Sequence, residues 1–110
     1  MTDTTALDEL ITAVEAGEFC MSKFPRAMAE WFTSICHSYH GDLNAAKALH
    51  DALLPEYTRD VDATAPECGI RVSIWSPSGP IVGVGDNQIE ARAWLLAVLR
   101  AYRAQIGGAA

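Results

Sequence analysis

Apolar residues recur along this chain in two rhythms. Leu7, Leu10, Ile11 and Val14 fall on one face of a 3.6-period helix, with Thr5 and Asp8 resembling a capping pair before them and Gly17 placed to end them. The pattern predicts a helix from about Ala6 to Ala16. After a less regular stretch from Glu18 to Lys23, Pro25 suits the first turn of a second helix, whose stripe is Met28, Trp31, Phe32, Ile35 and Tyr39. Gly41 stops that helix and Asp42 can cap a third, built on Leu43, Ala46, Leu49 and Leu53 and closed by Pro55.

From there the rhythm changes to alternation. Ile70, Val72 and Ile74 alternate with Arg71, Ser73 and Trp75, which predicts a strand with one apolar face. Tyr57 to Asp62 is a weaker strand before it and Ile81 to Val84 a third after it, with SPSGP as the hairpin turn between the last two. Asn87 and Glu90 read as a capping box, and no Gly or Pro interrupts the chain from there to Ile106, so a long terminal helix follows. Its core arc is Ala91, Trp94, Leu95, Val98, Leu99 and Tyr102. A second arc gathers Arg92, Arg100 and Arg103 around Ile89, Ala93 and Leu96. The tail, residues 107–110, is expected to fray.

Consecutive strands this close pair as an antiparallel meander, because parallel pairing needs a crossover of about a dozen residues. The predicted class is α+β, in the order ααα-βββ-α, with helices packed on a three-stranded meander sheet. At 110 residues and 50% hydrophobic the chain is one domain with one core. No apolar run approaches the ~20 residues of a membrane helix, and the opening MTDTTALDEL lacks the basic flank and apolar centre of a signal peptide. Cys20, Cys36 and Cys68 are odd in number and widely spaced, as reduced thiols are. A cytoplasmic location is expected.

The net charge of −6 is unevenly divided: residues 1–68 carry 12 acidic and 4 basic side chains, residues 69–110 carry 2 and 4. The two parts are electrostatically complementary. An acidic total argues against direct nucleic-acid binding, which needs clustered Lys and Arg, and favours a basic partner.

Candidate chemistry is sparse. Cys36 and His40, four residues apart on a helix, are the best metal-ligand pair, with His37, His50 or Cys20 as additions, yet no close pair such as C-x-x-C accompanies them, so no metal and no cofactor is expected. GVGDNQ, with Gly83 and Gly85, superficially resembles a phosphate-cradling turn, but it lacks the dinucleotide fingerprint and the P-loop lysine, and reads as a pair of turn glycines. Asp60, Asp62 and Glu67 form an acidic group that reads as a solvated strand face. Arginines around an apolar centre are typical of interfaces, which makes Ile89, Arg92, Ala93, Leu96, Arg100 and Arg103 the candidate partner-binding surface.

Three segments in order, LDELITAVEAGEF, HGDLNAAKALHDALLP (His40 to Pro55) and EARAWLLAVLRAYRAQ (Glu90 to Gln105), resemble the phage ABA sandwich domain family of small phage and prophage proteins. The resemblance covers most of the chain. It implies helices on both sides of a central sheet and a phage or prophage origin, and carries over no activity. The expected function is that of an accessory protein, not an enzyme, that binds a host or phage protein, in the manner of an anti-CRISPR or other inhibitor of a host factor or defence system. The alternatives are a homo-oligomeric virion or packaging component, down to a homodimer, and a small metal-dependent hydrolase built on Cys36 and His40.

Overall fold

Helix α1 (Thr4–Ala16) ends where Gly17 takes a φ of 75°. In the computed structural model, which describes residues 4–18, 30–62 and 69–107, helices α2 (Phe32–Tyr39) and α3 (Leu43–Leu53) are joined almost without a loop. Gly41 makes that joint possible with a φ of 104°, a backbone state that costs an L residue strain. Asp42 caps α3: its carboxylate accepts from the Asn44 and Ala45 amides at 2.9 and 3.2 Å. Pro25, Met28 and the Glu18 to Lys23 stretch fall wholly or largely outside the described residues.

Strands β1 (Thr58–Asp62), β2 (Ile70–Trp75) and β3 (Ile81–Asn87) form an antiparallel sheet in the order β1-β2-β3, and α4 (Glu90–Gly107) returns across it. The α+β class and the meander are as the sequence predicts. Thr58 pairs with Trp75 and Asp62 with Arg71, which fixes the register of β1. SPSGP closes the hairpin through a Ser76 amide donating to the Pro80 carbonyl at 2.9 Å. Gly107 belongs to α4, and residues 108–110 of the expected frayed tail lie outside the described residues.

Helix α4 is the middle layer. One side packs on β3 and β2, the other on α1, α2 and α3. Ala91, Ala93, Trp94, Leu95, Leu96, Ala97, Val98, Leu99 and Ala101 are consequently all buried, and each large aliphatic among them contributes about 1.5–3 kcal/mol relative to exposure. A helix that is apolar nearly all round belongs inside. The layers run sheet, α4, remaining helices, so among the described residues the helices lie on one face of the sheet. This differs from the two-sided arrangement that the family resemblance implies, and it matches the polar Arg71 and Ser73 on the sheet's other face.

The contact between β3 and α4 explains the two glycines of GVGD. They are not in a turn: β3 extends to Asn87, and Gly83 and Gly85 point inward against α4. A Cβ on Gly85 would lie 2.1 Å from the Ala93 carbonyl oxygen and 2.7 Å from the Ala97 amide; one on Gly83 would lie 2.3 Å from the Ala97 oxygen and 2.7 Å from the Ala101 amide. Ala93, Ala97 and Ala101, spaced by four, form the matching ridge of small side chains on the helix. Backbone meets backbone here, which is the usual reason for glycine inside a strand.

Candidate functional site

The arginine arc is engaged within the fold. Arg92 donates to the Tyr39 carbonyl at 2.9 Å and stacks over the Tyr39 ring, 3.9 Å from its centroid. Arg100 donates to the Val84 carbonyl at 2.7 Å, on the outer edge of β3, and pairs with Glu15. Arg103 pairs with Asp8 at 2.8 Å. Ala93 and Leu96, the apolar centre expected between these arginines, are 0% and 2% exposed beneath the sheet, and only Ile89 of that set is open to solvent. The face expected to bind a partner is instead a seam that fastens α4 to α1, α2 and β3.

Those ion pairs also account for the charge asymmetry. Arg100–Glu15 and Arg103–Asp8 each join an acid of the first part of the chain to a cation of the last 42 residues, while Arg59–Glu90 joins the same two parts with the signs reversed. The complementarity therefore operates inside one chain.

His50 belongs to a buried network. It is 5% exposed, its Nδ1 lies 3.1 Å from the Trp94 indole nitrogen and its Nε2 2.8 Å from the Tyr57 carbonyl oxygen. Indole N–H only donates and a carbonyl only accepts, so the hydrogen of the neutral ring is on Nε2. Arg59 covers the outer side of the indole, 3.9 Å from the ring centroid, and reaches Glu90 at 3.5 Å. Glu90 thus turns toward β1 rather than closing a capping box, and the Asn87 carboxamide oxygen accepts from the Ile89 amide at 3.0 Å, just ahead of α4. The network ties α3, β1 and α4 together. Sequence spacing offers no signal for it, because His50 and Trp94 are 44 residues apart.

The metal candidates do not converge. Cys36 is half-buried, His37 and His40 are exposed, and His50 is committed to Trp94 and Tyr57. Among the described residues no three His, Cys, Asp or Glu side chains are grouped to hold an ion. Cys20 and Cys68 lie outside the described residues. An open depression of about 450 Å³ beside the start of α4 is lined by Glu15, Gly17, Asp86, Asn87, Ile89 and Arg92. Glu15, Asn87 and Arg92 are held by the contacts above and Asp86 by Arg71 at 2.8 Å, so its lining shows no nucleophile poised beside a base.

Among the described residues, what stays open is the outer face of the sheet. The register sets three cross-strand rows there: Thr58, Trp75 and Ile81; Asp60, Ser73 and Val84; Asp62, Arg71 and Asp86. A bulge after Ile74 skips Val82 and brings Trp75 opposite Ile81. Trp75 is 36% and Ile81 46% exposed. The face therefore grades from apolar at the hairpin end to charged at the other, where Arg71 bridges to Asp86. Asp60 and Asp62 do share one solvated face, as the alternation predicts, and Glu67 lies outside the described residues.

No protein-family model, curated protein or solved structure matches the chain. What the protein does is thus read from its own surface.

Proposed function

We propose that this protein is a small phage-encoded accessory protein of the bacterial cytoplasm that acts by binding another protein, with inhibition of a host factor or defence system as the consequence. The observation that carries the reading is the uncovered outer face of the sheet, where a tryptophan and an isoleucine stand exposed side by side. Exposed aromatic and aliphatic side chains on a rigid sheet are the usual material of an interface core. The phage origin rests on the three-segment resemblance. In this reading no substrate bond is made or broken. Among the described residues no helix is long and apolar enough to cross a membrane.

A homo-oligomeric virion component is the weaker reading, since the opposite charges that would hold subunits together are joined within one chain. Affinity capture on the immobilised protein tests the proposal. A stoichiometric protein recovered from uninfected or phage-infected cells is expected; recovery of nothing from either source counts against a binding role.

A further inference from the structure

The outer face specifies more than stickiness. Its apolar row and its charged row lie at opposite ends of β2, four residues apart from Trp75 to Arg71, or about 13 Å along a strand. The charged half holds Asp60, Asp62 and Asp86 against one Arg71, an acidic excess on a protein that is already −6 overall. On the inner face the same sheet receives a helix, α4, laid across β2 and β3. Resting on the binding role proposed above, we infer that the outer face receives a basic amphipathic helix of the partner, with apolar residues seated on Trp75 and Ile81 and Lys or Arg side chains reaching Asp60 and Asp62.

The dimensions and the charges agree. About 13 Å of strand corresponds to about nine residues of helix, so two to three turns span both rows. A helix stacked on a half-covered sheet completes the layered arrangement that buries both sheet faces. A second copy of this chain fits poorly: placing two outer faces together sets acidic rows against a surface that is itself acidic. Nucleic acid is repelled by the same carboxylates. A basic helix satisfies both ends of the face at once.

An 18-residue helical peptide with a leucine stripe and lysines toward one end is the probe, and its glutamate counterpart is the control. The lysine peptide is expected to shift amide signals of β1, β2 and β3 selectively, to bind more weakly as salt rises, and to lose about tenfold or more in affinity to Trp75→Ser and to Ile81→Ser. Both variants should keep the wild-type melting temperature, which separates lost binding from lost folding. Equal binding of the glutamate peptide, or shifts confined to the helical layer, overturns the inference. So does a concentration-dependent dimer that Trp75→Ser dissolves, which would assign the face to self-association. Captured cellular partners distinguish this inference from the broader one: a partner held as tightly by Trp75→Ser as by wild type leaves the binding role standing and removes this face from it, whereas no partner at all removes both.

Discussion

The two faces of the sheet are made from the same three strands and differ in almost every physical respect. The inner face presents Val72 and Ile74, both fully buried, beside two glycines whose missing side chains let α4 approach to backbone contact. The outer face presents Trp75, Ile81, Ser73, Arg71 and three aspartates to solvent. Period-two alternation makes this possible: each strand divides its residues between an interior that stabilises the fold and an exterior left available to another molecule. A register slip of one residue would exchange the two sets, so the bulge after Ile74 and the glycines of β3 fix which face is which.

That contrast can be attacked at matched positions. The greatest loss is expected from Gly85→Val, which drives side-chain atoms into the Ala93 carbonyl and the Ala97 amide; about 3 kcal/mol or more should disappear from a urea unfolding curve. Its outer-face counterpart, Ser73→Val, should stay within about 0.5 kcal/mol of wild type. Next, Ile74→Ala should cost about 2–5 kcal/mol as a buried cavity, against about 0.5 kcal/mol for Ile81→Ala. Equal costs at these two isoleucines would mean that the outer face is covered.

Smaller effects sharpen the picture around the inner face. Trp94→Phe leaves His50 Nδ1 without its donor in a buried setting, and calorimetry should show a loss of about 1–3 kcal/mol. Arg100→Ala removes the donor to the Val84 carbonyl and the pairing with Glu15, for about 1 kcal/mol, whereas Arg71→Ala on the outer face should cost no more than about 0.5 kcal/mol. The least effect belongs to Lys47→Ala on α3. Lys47 holds the Asp51 carboxyl below the usual carboxylate range, chiefly through their 2.7 Å hydrogen bond, so the pair stabilises the fold above that range and ceases to do so as pH falls through the lowered value. Both side chains are more than half exposed, which limits the difference between variant and wild type to about 0.3–0.5 kcal/mol near neutral pH, and that difference should vanish on the acid side.

Much of this architecture is legible in the sequence because it follows from local periodicity. The β2 boundaries, the Gly41–Asp42 joint and the order of elements all come from patterns within a few residues of one another. The surroundings of α4 do not. Its heptad-scale reading separates a core arc from an arginine arc, yet Ala93 and Leu96 on the second arc are as buried as Leu95 on the first. The missing information is non-local: glycines at 83 and 85 in one element and alanines at 93, 97 and 101 in another make sense only once the two are brought together. The same is true of the arginines, whose partners Glu15 and Asp8 lie more than eighty residues away. An apolar helix interrupted by long, flexible cations resembles an interface in sequence because those cations extend past a buried face to reach acids on neighbouring elements.

Solvent access to the tryptophan indoles tests the central contrast most directly. With a soluble paramagnetic agent in an ¹⁵N-labelled sample, the Trp75 indole signal should broaden strongly while that of Trp94, held against His50 and covered by Arg59, stays sharp. Equal protection of the two signals would contradict an outer face left open for a partner.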